Sequence, residues 1–596
     1  MLRHFTQPLL ILLITYVLLI GSTFNGMLNP EIKLISTIII SFGAAFWLFI
    51  RTRNSWRWHR TPLDGALLLW ALAFALSSLL NLDQARRIML GLWYMGLYIA
   101  VWYALADALM NRAIKRETLI DGLIVTAAFV ILFGWGQVYA NINTGLVRPG
   151  SVIGNPNSLA AFLILTLPFI LERMGTHRQV ARAVMTVMAV LAITLFLLTQ
   201  SRSAFLAFGA AVAARVAVYA YEHKLHTREG RQAFRERLTT AQKRLLAFAV
   251  AAGVFVVAGV AVFLIYSLTI PGRTLDLRSF IYDSAITLFA EQPIAGHGVF
   301  TFGGGLVRLN STPPTEPHSH AHNLILHTAA ENGIVGLAAL AFTLIVITRA
   351  VLPNLNRFPA SDKRILRPGI AALVGFGAHH LLDLPAMMPA IFLMMVIILS
   401  VCAIPNQPSP LRRPTTRLAA SALVVTLILT GWLGTITYSM YIDALRGVTV
   451  SSAGERADKL NNVIALDPLM PVYHQQQGYL YALAGDYARA AEAYERYTQL
   501  APEYVAGWGN LSALYAALGR TSEAVQAMNT AISLAPEMGS LQIPLERIEQ
   551  GTFDPQPPAD IDPFVEDISF NVNINQIQFL RLALPRQFLP LLHFSP

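Results

Sequence analysis

Three histidines at alternate positions, His318, His320 and His322, are followed by Asn323 and then, nine residues on, by Gly333 and Gly336. They stand where a long polar loop gives way to an apolar segment. An imidazole at a membrane edge is costly unless it faces polar surroundings, so it marks a functional site. Histidine is also the side chain best suited to taking a proton from a hydroxyl near neutral pH. Two chemistries fit the pattern: general-base catalysis by one imidazole, or metal ligation by all three, which share a face on an extended chain. Apart from Glu316, no carboxylate or cysteine cluster accompanies them, and the single cysteine, Cys402, lies in an apolar run. The pattern therefore favours catalysis, with no metal and no cofactor.

On a helix starting near His322, Ala329, Gly333 and Gly336 fall within about 40° of the histidine's direction. Such a small-residue stripe predicts close packing of a neighbouring helix, which would fix the imidazole at the interface. His327 and Glu331, four apart, can pair on another face. A second polar cluster, His379-His380-Leu381-Leu382-Asp383-Leu384-Pro385, ends a later apolar segment. Asp383 there can orient a histidine or contact a sugar; the alternative is an ordinary polar helix end.

The elements that must position these residues are membrane spans. The chain has 596 residues, 55% hydrophobic and 13% charged, against about 25% charged in soluble domains. Apolar runs long enough to cross a bilayer of about 30 Å recur through the first 440 residues. They predict an all-α, polytopic membrane protein of about 12–13 transmembrane helices, near 8–25, 33–50, 63–80, 88–109, 118–139, 157–172, 183–200, 203–221, 245–267, 322–348, 369–384, 387–404 and 418–438. Lys and Arg concentrate in alternate loops, above all Lys224, Arg228, Arg231, Arg235, Arg237, Lys243 and Arg244. The positive-inside rule then places the N-terminus in the cytoplasm. The net charge of +10 is mostly this topology signal, and no nucleic-acid partner is expected.

Seven arginines break the bias: Arg86, Arg87, Arg148, Arg202, Arg273, Arg278 and Arg308. Arg86 and Arg87 suit headgroup anchoring. Arg148 lies in a polar loop, Arg202 between two apolar runs, and Arg278 before an amphipathic stretch, Ser279 to Ala290, in a long outside loop of about 268–321. A guanidinium is always charged and offers a planar donor fork for phosphate oxygens. Several of them at the outer edge suit the pyrophosphate of a lipid carrier.

Residues 1–440 form the membrane domain, 441–540 a helical-repeat domain outside the cytoplasm, and 541–596 a Pro-rich linker and tail. Pro468, Pro502 and Pro536 are spaced by 34 residues, in step with Leu466, Leu500, Leu534, Gly485 and Gly519. That period resembles the tetratricopeptide repeat, whose curved surface binds a protein partner or caps its neighbour. Ile568, Phe570, Val572 and Ile574 alternate with polar residues, as in a short strand.

The His322-Asn323, nine-residue, Gly333, two-residue, Gly336 pattern resembles the signature of the O-antigen ligase family. The family includes bacterial protein O-oligosaccharyltransferases and is related to O-antigen polymerases. Gly154-Asn155-Pro156-Asn157, Ser201-Arg202-Ser203, and Arg278 with Pro293 and Gly296-His297-Gly298 resemble it in the same order, over about residues 60–400. The resemblance implies transfer of a glycan from undecaprenyl pyrophosphate to an acceptor hydroxyl, on the outer face of the bacterial cytoplasmic membrane, without ATP or metal. It implies a catalytic His322, pyrophosphate binding by Arg202 and Arg278 with Arg148 beside them, and an acceptor glycolipid or protein. Asn323, His320, Glu331, His380 and Asp383 are candidate supporting residues. Asp383-Leu384-Pro385 stands where protein-glycosylating members often carry Glu-Tyr-Pro, which weakens assignment to that subgroup. A polymerase, a non-catalytic scaffold presenting the repeats, and a transporter remain as alternatives.

Overall fold

A computed structural model describes residues 57–82, 85–142, 148–175, 179–225, 275–309, 320–405, 410–414, 452–536 and 539–554, with a few isolated positions elsewhere. The expected spans near 8–25 and 245–267, most of those near 33–50 and 418–438, and the expected strand at 568–574 lie outside the described residues. The described chain is helical but for one short antiparallel pair, β1 (Arg57–His59) with β2 (Pro410–Pro414).

The membrane body comprises α1 (Asp64–Leu80), α2 (Ala85–Met110), α3 (Arg116–Ala140), α4 (Pro156–Arg173), α5 (Gln179–Leu198) and α6 (Arg202–Glu222). The long loop contributes α7 (Leu275–Glu291) and α8 (Phe302–Arg308). Then follow α9 (Leu324–Val351), the short α10 (Asn354–Arg357), α11 (Ala360–His379) and α12 (Pro389–Ala403). Among the described residues, α3, α5, α6 and the α9–α10 stretch are long and apolar enough to cross a membrane. The protein is a polytopic α-helical membrane protein.

Helix α4 is apolar on every side and buried almost throughout, so it forms the centre of the bundle. Helices α11, α5 and α6 surround it. Gly375 of α11 lets that helix come close: a Cβ there would meet Ala211 Cβ at 2.8 Å and Ile164 Cγ2 at 2.9 Å. Ion pairs tie the opposite end of the bundle: Arg173 with Asp121 at 2.7 Å, Arg215 with Glu172 at 3.1 Å and Arg367 with Glu222 at 2.9 Å. Ser203 meets His379 while Glu222 meets Arg367, so α6 and α11 run antiparallel. Those pairs also explain a shifted boundary. The hydropathy span at 369–384 omits the first turns of α11, where charged residues hold helical geometry through partners such as Glu222. The helix therefore ends at His379, leaving His380 and Asp383 in the turn beyond it.

The small-residue stripe has a different use from the one its spacing suggests. Gly333 has φ +59° and ψ −157°, so α9 is broken there into two helical parts. The segment 293–298 plugs the break. Ile334 N donates to Pro293 O at 2.8 Å and Val335 N to Ile294 O at 3.3 Å, while His297 N donates to Ala330 O at 3.0 Å and Gly298 N to Glu331 O at 2.9 Å. Asn81 of the α1 end adds a bond to Gly296 O at 2.8 Å. A Cβ on Gly333 would lie 2.3 Å from Ile294 O, and one on Gly296 2.3 Å from Glu331 C. Gly333 and Gly296 thus serve a backbone-to-backbone joint. The joint locks the α7-bearing loop onto the helix that follows His322. Gly333→Ala should cost about 1–3 kcal/mol from its backbone conformation alone, with the collision adding more. A fall in the thermal unfolding midpoint of the detergent-solubilised protein checks this; an unchanged midpoint would contradict the joint.

The C-terminal repeats occupy α13 (Ala453–Leu466), α14 (Pro471–Leu483), α15 (Tyr487–Leu500), α16 (Val505–Ala517), α17 (Thr521–Leu534) and α18 (Gln542–Glu549). Each helix packs on the next. Gly478 and Gly507 face Tyr494 and Tyr497, whose rings fill the space a side chain would take.

Candidate active site

Four helix ends meet at the His322 end of the bundle: the starts of α4, α6 and α9 and the finish of α11. Two of the starts, those of α4 and α9, are set by asparagine caps. Asn155 caps α4, its side chain accepting from Asn157 N at 2.8 Å and Ser158 N at 3.2 Å, with Pro156 in the first turn. Asn323 caps α9 by accepting from Ile325 N at 2.9 Å and Leu326 N at 3.1 Å. Its amide also donates to Leu381 O at 2.9 Å, and Leu324 N donates to His380 O at 2.8 Å. Asn323 is thus a cap and a tether between α9 and the turn after α11.

Immediately before these caps the backbone is left-handed: His322 has φ +49° before Asn323, and Gln200 has φ +51° before Ser201 and Arg202. Non-glycine residues in this region are uncommon and are held there only by their surroundings. Here the twist presents His322 to the turn after α11. His322 Nδ1 lies 2.8 Å from Asp383 Oδ1. The other carboxylate oxygen accepts from Asn157 Nδ2 at 3.0 Å, and Leu384 N donates to Oδ1 at 2.8 Å. Burial pushes the Asp383 carboxyl up, but the hydrogen bond from His322 and the charges of His322, His320 and His379 outweigh it. The carboxyl is held well below the usual range and is ionised. An ionised Asp383 only accepts, so the proton between the two sits on Nδ1 of His322, and in the neutral ring Nε2 is then the accepting nitrogen.

Arg148 extends the network. Its Nη2 donates to Asn157 Oδ1 at 3.0 Å and its Nε to Thr199 O at 2.7 Å, just before Arg202. The loop carrying it is held by Gln137, whose Oε1 accepts from Gly150 N and Ser151 N at 3.0 and 2.8 Å. Desolvation, and then the like charge of Arg202, lower the Arg148 pKa. Two guanidinium groups held close enough to repel each other form a place where an anion is stabilised. A hydrogen-bonded path therefore runs from Arg148 through Asn157 and Asp383 to His322, with the charge of Arg202 near its far end.

Other candidates have different roles. His320 stacks edge-on to His322, ring centroids 4.2 Å apart, and its Nδ1 accepts from His322 N at 3.2 Å. His380 uses both ring nitrogens on backbone: Nδ1 to Phe376 O at 2.7 Å and Nε2 from Ala386 N at 3.2 Å. Glu331 is buried beneath α8, accepting from Phe302 N at 3.1 Å and lying 3.5 Å from His327, its expected partner. It supports the loop joint rather than His322. Arg308 pairs with Glu291 on the surface. The Arg278 backbone lies in α7; His318 and Arg273 fall outside the described residues.

Sequence reasoning quoted Asn157 and Ser203 within motifs but gave neither a role. Asn157 bridges Arg148 and Asp383, and the signal was its place one residue inside the Asn155-Pro156 cap. Ser203 Oγ lies 3.0 Å from His379 Nε2 and Ser201 Oγ 3.3 Å from Ser203 Oγ, all buried. This bond staples the Arg202 turn to the helix end that precedes Asp383. His379→Leu should lower transfer by about tenfold, the size of one lost bond of about 1.4 kcal/mol, and His379→Gln, with an amide at the Nε2 position, should restore part of it. Equal rates for both variants and the parent would show that the staple is immaterial.

Residues 187–341 match the family model described as O-Antigen ligase, and residues 481–541 match one described as a tetratricopeptide repeat. No curated protein matches the chain. The first match spans Arg202, Arg278, His322, Gly333 and Gly336; Arg148, Asn157 and Asp383 lie outside it and reach the site through the fold. The chain thus pairs an O-antigen ligase domain with repeats, and the domain supports glycosyl transfer of the ligase or polymerase kind.

Proposed function

We propose that this protein transfers a glycan from undecaprenyl pyrophosphate to an acceptor hydroxyl at the outer face of the bacterial cytoplasmic membrane. The observation that carries this reading is the His322–Asp383 pair joined through Asn157 to Arg148, whose guanidinium feels the like charge of Arg202. His322 Nε2 takes the proton of the acceptor hydroxyl as its oxygen attacks the anomeric carbon. The bond from that carbon to the pyrophosphate oxygen breaks, and the electron pair leaves with the pyrophosphate. Asp383 fixes the tautomer of His322 and stabilises the imidazolium that forms. Arg148 and Arg202 meet the developing negative charge, and the family resemblance gives Arg278 the same role. Displacement in one step inverts the anomeric centre. Pyrophosphate is already a good leaving group, so a second acidic residue is not required.

A transporter would use a broken helix to expose backbone groups to an ion. The break in α9 does not, because its neighbouring carbonyls and amides bond to 293–298. A scaffold needs neither the arginines nor the dyad. The repeats favour a protein partner or protein acceptor over a growing glycan. Incubating the purified protein with undecaprenyl-pyrophosphate glycan and separate lipid, protein and glycan acceptors decides among ligase, protein-glycosylating and polymerase activity. Transfer to none of them would refute the reading. Arg148→Ala, Arg202→Ala and Arg278→Ala should each weaken carrier binding by about 10–100-fold, since a hydrogen bond to a charged group contributes about 1.5–3 kcal/mol. Unchanged carrier affinity in all three would remove the arginines from the mechanism.

A further inference from the structure

We propose that His320, His322 and Asp383 also form a reversible site for a zinc-class divalent cation, and that its occupation switches the transfer off. The binding half stands on geometry alone; the inhibitory half rests on the proposed role of His322. One ligand atom from each of the three residues lies within 4.8 Å of the others. The alternation His320-x-His322 with a left-handed His322 brings the two rings edge to face at 4.2 Å, and Asp383 closes the third side.

The donor set selects the cation. Two imidazoles and one carboxylate suit zinc, whereas magnesium and calcium take mainly oxygen ligands. Ligands bonded to one zinc at about 2.1 Å sit about 3.4 Å apart, so the widest pair must close by about 1.4 Å or less. Rotation of the His320 side chain, which stands at the loop edge and is half-buried, can supply that. Both histidines are part-exposed, leaving the fourth position to water, as in exchangeable sites. The outer support exists as well: Asn157 holds the second oxygen of Asp383 and Leu384 N the first.

Inhibition follows from the tautomer. A cation at Nδ1 of His322 takes the place of the proton shared with Asp383. That proton moves through solvent to Nε2, and the imidazole stays neutral. The lone pair that would accept the acceptor's proton is then gone. Arg148 and Arg202 are not consumed, so the lipid carrier can still bind an inhibited enzyme.

The test uses full-length protein purified without a polyhistidine tag, with zinc chloride titrated against a zinc-chelating dye and magnesium chloride as control. One zinc per chain with no response to magnesium is expected, and His320→Ala and Asp383→Asn should each weaken the zinc affinity by about tenfold or more. Equal zinc affinity in the parent and both variants overturns the site. In the transfer assay, each preparation is normalised to its own zinc-free rate. The zinc concentration for half-inhibition should rise about tenfold in His320→Ala, in step with binding. Zinc that binds at these residues without slowing transfer overturns the inhibitory half and counts against His322 as the base. A parent inactive in every zinc-free assay refutes the transfer reading and the switch with it, leaving the binding result to stand or fall alone.

Discussion

His322→Ala should abolish glycan transfer while leaving membrane insertion and carrier binding near the parent level. A positioned general base contributes about 10²–10⁴-fold, and His322 is the imidazole that Asp383 positions. His320 is the nearest imidazole, but its Nδ1 is taken by the His322 backbone. His380 has both nitrogens committed to backbone. The arginine pair sits across Asn157 and Asp383 from the imidazole, so the carrier's phosphates should still find it. Initial rates from undecaprenyl-pyrophosphate glycan, with carrier affinity measured separately, check both halves. Full activity in the variant would end the assignment of His322 as base, and loss of carrier binding would show that the imidazole holds phosphate instead.

Asp383→Asn should be nearly as damaging, although it changes only an oxygen to an amide nitrogen. The amide can offer N–H to the imidazole. Nδ1 of His322 then becomes the acceptor and the proton sits on Nε2, pointing the wrong way. In Ser-His-Asp hydrolases the equivalent exchange lowers kcat about 10⁴-fold through the wrong tautomer; a loss on the order of 10²–10⁴ is expected here, with carrier affinity little changed. The discriminating measurement is kcat against the apparent affinity for carrier. A rise in KM with unchanged kcat would make Asp383 a binding residue rather than the orienter of the base.

The contrast between these residues shows where sequence reasoning reached and where it stopped. His322 was legible because its chemistry is local: an imidazole at a loop-to-span boundary, next to a capping asparagine. The arginines were legible because they stand in loops that otherwise carry few basic residues. Most span positions were legible from hydropathy, since an apolar helix in lipid must satisfy its backbone within itself. The start of α11 was not, because charged residues extend that helix when Glu222 waits on a neighbouring helix.

Periodicity also missed what Gly333 does. Gly333 and Gly336 fit one face of an ideal helix, but the chain leaves helical geometry at Gly333 so that 293–298 can bond to the exposed backbone. No single-helix pattern contains that information, because the partner segment of the joint, 293–298, lies on a separate loop.

The sequence by itself determined the class of the protein, the place of the histidine where a polar loop meets an apolar segment, the uneven distribution of basic residues among the loops and the 34-residue repeat. Composition and period are properties of the chain. Only the tertiary structure decided which carboxylate serves His322, which arginines share a site and what the glycines hold together. Asp383 lies 61 residues from His322 and Asn157 lies 226 from Asp383; a hydrogen bond at 3 Å depends on how α4, α9 and α11 pack, and packing is set by contacts that no local pattern carries.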